Sequence, residues 1–293
     1  MGQNKVIIFG SAGQLGVELV RVFQARGYAV SHHDRDTCDI TDPAAVEACV
    51  GPLDPTIVIN AAAYNMVDVA EQEPQAAFLV NALAVRNLAV VCRQLDAMLV
   101  HFSTDYVFDG CTDRSYVETD PTHPLGAYAV SKLAGELYAQ AYMDKALIIR
   151  TSGVFGPGGR FTARGNFVEL MLRLAASGHP IRVVEDHVAS PTFAPALAER
   201  TADLVEMGQR GVFHVGGGRA ISWYQYARII FDAAGMNPPL RPTTEREYRT
   251  AARRPKYSAL SNAKMEALGI APMPGLEQAV RSYLAERPSA VTA

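Results

Sequence analysis

Tyr128-Ala-Val-Ser-Lys132 sets a phenol and an ammonium four residues apart. On a helix, positions i and i+4 share a face, so the two groups can meet. A lysine charge beside a phenol favours the phenolate and lowers its pKa. The tyrosine then becomes a proton donor or acceptor near neutral pH. By itself the pair is also what an amphipathic helix with a lysine one turn on would show. Two features ahead of it sharpen the reading. One is a glycine-rich turn, Gly10-Ser-Ala-Gly13-Gln-Leu-Gly16. The other is a hydroxyl at the end of an apolar run, Phe102-Ser103-Thr104-Asp105.

The elements that must hold these groups are legible as an alternation. The apolar run Lys5-Val-Ile-Ile-Phe9 predicts a strand at Val6–Phe9, and Gln14 to Ala25 a helix closed near Gly27. Strand, glycine turn and helix form the context of a dinucleotide site, with a pyrophosphate at the helix N-terminus. The spacing here is G-x-x-G-x-x-G. A tight strand–helix turn with no ligand is the alternative. Further strands are expected at Ala29–Ser31, Thr56–Ile59, Met98–Phe102 and Leu147–Arg150. Helices are expected at Pro43–Val50, Ala76–Leu95 and Leu125–Tyr142. Short apolar strands separated by helices imply an α/β fold, a Rossmann-type doubly wound parallel sheet covered on both faces. Such a sheet binds ligands at the carboxyl ends of its strands. Those ends carry Gly10, Asn60-Ala61-Ala62-Ala63, Ser103-Thr104-Asp105 and Thr151-Ser-Gly153.

The second half reads as a helix at 166–176, a strand at Ile181–Val184 and a helix within Pro191–Met207. A strand at Gly211–Val215, a helix capped by Ser222, and helices at Asn262–Leu268 and Leu276–Ala285 follow. Pro238, Pro239 and Pro242 mark a loop. We expect residues 1–152 to form the NAD(P)-binding domain, with some elements from about 188–235 returning to it. Residues 153–187 and 236–293 then form a smaller substrate-binding lobe.

The net charge of −3 gives no nucleic-acid footprint. Four cysteines without a C-x-x-C pair suit a reduced cytoplasmic setting. A strand is expected almost at once, and no signal peptide is expected ahead of it. No apolar run approaches membrane-spanning length, and no His/Cys/Asp/Glu grouping has metal-ligand spacing.

At these motifs the chain resembles the extended short-chain dehydrogenase/reductases, and within them the dTDP-4-dehydrorhamnose reductase family. The resemblance covers about residues 5–285. It rests on the glycine turn, Asp39-Ile40-Thr-Asp42, Asn60-Ala-Ala-Ala-Tyr64, Val67-Asp68 with Glu71, Ser103-Thr-Asp-Tyr-Val-Phe-Asp-Gly110, and Tyr128 with Lys132. Ser190-Pro-Thr192, Ser222-Trp-Tyr224 and Arg254-Pro-x-x-Ser258 extend it. It implies reduction of the 4-keto group of a nucleotide-linked 6-deoxyhexose, dTDP-linked by preference, with NADPH or NADH. Tyr128 would be the general acid. Lys132 would lower its pKa and bind the nicotinamide ribose, and Thr104 would stabilise the developing oxyanion.

Cofactor contacts are expected from Gly10, Ala12, Gly13, Gln14, Leu15 and Gly16, and from Ala61, Ala62 and Ala63. Asp39 and Ile40 match the family's adenine loop; Asp39 could instead cap the helix starting near Pro43. Arg35 could pair with a 2′-phosphate, or Asp34 take a ribose hydroxyl. Val67, Asp105, Tyr106 and Gly153 match the family's sugar pocket, with ordinary packing as the alternative. Asn81 is either an active-site helper or a buried structural amide. Arg160, Arg164, Arg253, Arg254 and Lys256 are candidates for the diphosphate.

Three departures stand out. Gly153 replaces the family's tryptophan, to be refilled by Phe155, Phe161 or Met66. His187 replaces a glutamine, and Val69 a lysine. Some members carry a magnesium-bridged dimer. Glu18 matches one of its acids, but the region of Pro195 lacks the other, so Glu18 is expected to be a solvated helix residue and no metal is expected. A homodimer follows from family habit alone. A nucleotide-sugar epimerase or dehydratase, and a non-catalytic NADP-binding subunit, are the rival functions. The dehydratases carry Thr-Asp-Glu where this chain has Thr104-Asp105-Tyr106, which favours simple reduction.

Overall fold

A computed structural model of the chain describes residues 4–161 and 165–287. Arg164, expected near a diphosphate, lies outside the described residues, as does the side chain of Phe161.

Six parallel strands form the central sheet: β1 (Lys5–Phe9), β2 (Ala29–His33), β3 (Ile57–Asn60), β4 (Met98–Thr104), β5 (Ala146–Thr151) and β8 (Gly211–His214). Their order is β2-β1-β3-β4-β5-β8. Alternate residues of each strand face opposite ways, so one apolar run supplies two cores. Val6, Ile8, Ile59, Val100 and Ile149 pack against α1 (Gln14–Ala25) and α7 (Ala194–Glu206). Ile7, Phe9, Val58, Leu99 and Ile148 pack against α2 (Pro43–Val50) and α4 (Ala84–Gln94), with Ala139 and Met143 at the end of α5 (Ala127–Tyr142). The chain leaves β1 for β2 on one side and returns to β3 on the other. The carboxyl ends of β1 and β3 therefore diverge into a crevice, where an open α/β sheet binds its ligand.

A third core joins α6 (Phe167–Ala176), α8 (Trp223–Ala234), α10 (Leu276–Ala285) and β6 (Ile181–Val184). Two small pairings trim this region. β7 (Val188–Ala189) runs antiparallel to β9 (Ile221–Ser222), and β10 (Leu240–Thr243) pairs parallel with β6. β10 corrects the loop expected around Pro242. Proline is tolerated there because β10 stands at the edge of a two-stranded sheet.

Other boundaries differ for local reasons. Asp42, not Asp39, caps α2: its carboxylate accepts from the Ala44 amide at 2.9 Å, with Pro43 at the first helical position. The helix expected at 76–95 starts at α3 (Pro74–Phe78) and passes through a π turn, Leu79–Leu83, before α4. This run, Pro74–Gln94, has 21 residues and a mean hydropathy of 1.5, long and apolar enough to cross a membrane. That corrects the expectation that no run reaches such length. Half of it is buried inside the protein, the pattern of a core helix. Glu18 is also corrected: it is buried, with its carboxylate 2.9 Å from Arg21 Nε.

Candidate active site

The glycine turn is shaped by crowding. Gly10 has φ +75°, and a Cβ there would lie 2.4 Å from the Ala62 amide nitrogen. A Cβ on Gly16 would lie 2.1 Å from the Gly10 carbonyl oxygen. The first contact seats the turn on the Ala61-Ala62 backbone, and the second folds α1 back onto it. Gly13 is the N-cap of α1 and offers no side chain to cap it. Amide donors of the first turn are thus left for an anion. These features fit a dinucleotide pyrophosphate. Gln14 is turned aside: its amide donates to the Val154 carbonyl at 2.9 Å, tying the turn to the segment after β5.

Beyond β2 the polar residues separate by role. Asp34 accepts from the Thr37 amide at 3.0 Å and its hydroxyl at 2.9 Å, and these bonds lower its pKa. Arg35 is exposed, 4.0 Å from Asp39. Asp39 accepts from the amide and hydroxyl of Thr41 at 2.9 and 2.7 Å. The Ile40 side chain is buried in the core beside α2, so the backbone there is what an adenine could touch. Asp34 is engaged in its own turn and Arg35 is exposed, an arrangement that suits a 2′-phosphate better than a free ribose. Arg35→Ala should weaken NADPH binding roughly 5- to 150-fold, about 1–3 kcal/mol, and leave NADH nearly unchanged. Fluorescence titration with both cofactors checks this; equal losses would remove Arg35 from the phosphate site.

The catalytic candidates converge where α5 crosses the end of β4. Lys132 is buried, and its ammonium donates to the Phe102 carbonyl at 2.5 Å. Burial lowers its pKa to about 8, against the opposing pull of Glu136. Thr104 ends β4, two residues beyond that carbonyl. Its hydroxyl accepts from the Tyr106 amide and donates to Asp105, both at 3.2 Å. The Tyr128 ring stands edge-on to Tyr106, with centroids 6.2 Å apart. Lys132 and Tyr128, one turn apart on α5, thus contact Phe102 and Tyr106, the residues two before and two after Thr104.

Behind them, Asn81 in the π turn accepts from the Tyr64 amide and donates to the Tyr64 carbonyl, at 2.8 and 3.0 Å. It also donates to the Ser131 hydroxyl at 3.0 Å, which in turn donates to the Tyr128 carbonyl at 2.7 Å. Its polar atoms are occupied in pinning the loop after β3 to α5. Gly135 makes this approach possible: a Cβ there would lie 2.2 Å from the Asn81 carbonyl oxygen.

Several other expected site residues are held by protein partners. The Asp105 carboxylate is buried, accepting from Ser152 at 2.7 Å and Ser258 at 2.5 Å. Burial pushes its pKa up to about 6 despite those hydroxyls. It fastens β4, β5 and the 258 segment together. Arg254 donates to both carboxylate oxygens of Asp68, at 3.0 and 2.7 Å, and hydrogen-bonds Tyr106. That latch lies beside Tyr128 and next to half-buried Val67. Arg160 points away, donating to the Pro157 and Glu286 carbonyls. Arg253 and Lys256 are exposed.

Gly153 has φ +50°, and a Cβ there would lie 3.2 Å from Trp223 Cη2. The indole of Trp223, held edge-to-face on Phe167, is thus the aromatic group beside Gly153. Phe155 is buried among Phe193, Tyr226 and Tyr283 and does not fill that place. Met66 is exposed on the loop after β3. Sequence reasoning missed Trp223 in this place, along with Glu136, Ser152 and the Asp68–Arg254 latch. Only Glu136, a further four residues past Lys132, left a signal in the spacing.

Comparison with known proteins agrees with this geometry. The family model for the RmlD substrate binding domain matches residues 4–288. Spore coat polysaccharide biosynthesis protein SpsK of Bacillus subtilis is 38% identical over 98% of this chain and 99% of its own length. The dTDP-4-dehydrorhamnose reductase of Escherichia coli is 36% identical over 96% of this chain and 97% of its own. A crystal structure of the Bacillus anthracis dTDP-4-dehydrorhamnose reductase in complex with NADP superposes with a TM-score of 0.92. It shares 34% identity and covers 98% of this chain and 100% of that one.

Proposed function

The chain belongs to the RmlD substrate-binding domain family, and on that premise we propose that it is an NAD(P)H-dependent reductase of a nucleotide-linked 4-keto-6-deoxyhexose, dTDP-4-dehydrorhamnose or a close relative. The observation that carries this reading is the placement of Tyr128 and Lys132 on one face of α5, against the strand end that bears Thr104. The cofactor part is residues 4–152 with α7 and β8 returning to its sheet; the sugar-nucleotide part is the third core of α6, α8, α10 and β6. A cytoplasmic setting and a homodimer belong to the same proposal.

NAD(P)H bound along the glycine turn supplies the hydride to the sugar C4. Tyr128 gives its phenolic proton to the oxygen that becomes the C4 hydroxyl. Lys132 holds a positive charge near that phenol and so favours proton release. The Thr104 hydroxyl turns from Asp105 to the same oxygen and stabilises its developing charge. Asp105 is committed to Ser152 and Ser258, and position 106 is a tyrosine, so an elimination has no carboxyl pair to serve it. Trp223 supplies the apolar wall beside the sugar that Gly153 lacks.

The test is NADPH oxidation with a panel of nucleotide 4-ketohexoses. Consumption with dTDP-4-dehydrorhamnose or a near relative is expected; none with any member would refute the reading. A variant pair addresses the wall. Trp223→Ala should cut discrimination between ketosugars by about 10- to 200-fold. Gly153→Trp should destabilise the protein by about 1–2 kcal/mol, because φ +50° disfavours any side chain. Unchanged specificity constants in folded Trp223→Ala would remove Trp223 from the pocket.

A further inference from the structure

The Tyr128–Lys132 spacing continues one turn further, to Glu136, and the structure gives that residue an unusual place. Glu136 is 1% exposed, on the helix that carries Lys132. Its carboxylate is gripped from the sheet. Arg150 Nε lies 3.0 and 3.2 Å from its two oxygens, and Arg150 Nη2 lies 2.8 Å from Oε2. The Ser103 hydroxyl donates to Oε1 in a short hydrogen bond. Ser103 and Arg150 are register partners on β4 and β5. Consecutive residues of β4 thus receive successive turns of α5: the Phe102 carbonyl takes Lys132, and Ser103 takes Glu136.

A buried ion pair needs a reason. Removing two charges from water costs several kcal/mol per ion, and apolar groups of similar volume often serve stability equally well. Here a third charge lies beside the pair. Lys132 is itself 3% exposed, and its ammonium donates to a neutral carbonyl, that of Phe102. The charged and titratable groups around it divide clearly. On α5, Glu136 favours the ammonium, and Tyr128 lies one turn away. From β4, His101 is held neutral by burial and by Lys132 itself. From β5, Arg150 faces Glu136. Beyond β4, Asp105 is tied to Ser152 and Ser258, and Tyr106 hydrogen-bonds Arg254. Glu71 accepts from the Ala127 amide at the helix start, and Arg86 of α4 reaches Tyr142 at its far end. The π turn offers the amide of Asn81.

We propose that Glu136, fixed by Arg150 and Ser103, is a positioning residue for the reaction: it is the buried counter-charge that keeps Lys132 protonated and seated on β4. The Glu136–Arg150 pair is then part of the catalytic apparatus, one layer beneath the groups that touch substrate and cofactor. This deepens the reductase reading and rests on it for the role of Lys132. Its test needs neither sugar nor turnover.

The protein has five lysines, so side-chain carbon-13 labelling of lysine gives few NMR signals, and Lys132→Met assigns the one of interest. The titration midpoint of Lys132 is then followed in the unliganded protein. Glu136→Gln should lower it by about one pH unit, a tenfold loss of proton affinity. Glu136→Asp, which keeps the charge, should restore most of it. The double variant Glu136→Gln/Arg150→Gln covers unfolding of the single one, since no lone arginine is left in the core. A smaller fall in the same direction is expected there, because the variant removes a repelling cation along with the attracting carboxylate. An unchanged midpoint in whichever charge-removing variant folds would overturn the proposal and leave the pair a structural clamp. The proposed ketosugar activity could fail without touching this result.

Discussion

Tyr128→Phe should lower turnover on the ketosugar by about 10²- to 10⁴-fold while leaving NADPH affinity within about twofold. The size follows from what is removed. Hydride arrival at C4 puts negative charge on the oxygen, and without the phenol the proton must come from solvent. The ring itself is retained, so its edge contact with Tyr106 and the course of α5 persist. Steady-state kinetics and cofactor titration on the same preparation separate the two effects. A variant that turns over at near wild-type rate would move the acid elsewhere.

Lys132→Met should abolish measurable reduction and yet stabilise the fold by about 2 kcal/mol at pH 7. Burial depresses the folded-state pKa of Lys132 to about 8, below that of an unfolded lysine. For a depressed pKa of this kind, the favourable contribution is present above the unfolded value. It is lost as pH falls through the folded one. At neutral pH the native state therefore carries a buried ammonium that methionine would not, offset in part by the lost bond to Phe102. The gap between variant and wild type should shrink as pH rises from about 8 to about 10. Denaturant unfolding across that range checks both sign and window. A variant less stable than wild type at pH 7 would mean that the Phe102 contact and Glu136 outweigh the burial of charge.

Much of this site was legible because it is built from local patterns. The helix from Gln14 to Ala25 and the hydroxyl at Thr104 follow from apolar periodicity and strand length. Tyr128 and Lys132 could be paired because both lie on one helix. What escaped depends on contacts that local spacing does not encode. That Ser152 and Ser258, 47 and 153 residues away in sequence, hold the Asp105 carboxylate is not encoded in its neighbours along the chain. Arg254 is a candidate for a diphosphate by charge alone, and that Asp68 holds it from 186 residues away is invisible to spacing. The π turn at Leu79–Leu83 has no periodicity of its own to betray it, and it exists where Gly135 lets two helices touch. The place of Gly153 could be read as an absence, but not that Trp223 stands beside it, because α8 arrives from another core.

The central claim is that Tyr128, Lys132 and Thr104 direct hydride from a bound nicotinamide onto the C4 carbonyl of a nucleotide sugar. The most direct measurement uses NADPH deuterated at the transferring position, dTDP-4-dehydrorhamnose as acceptor, and NMR of the isolated product. The account predicts one deuterium at the sugar C4 for each NADPH oxidised, and no such product with Tyr128→Phe on the same timescale. Deuterium at another carbon, or a sugar altered at C4 without deuterium from the cofactor, would contradict it.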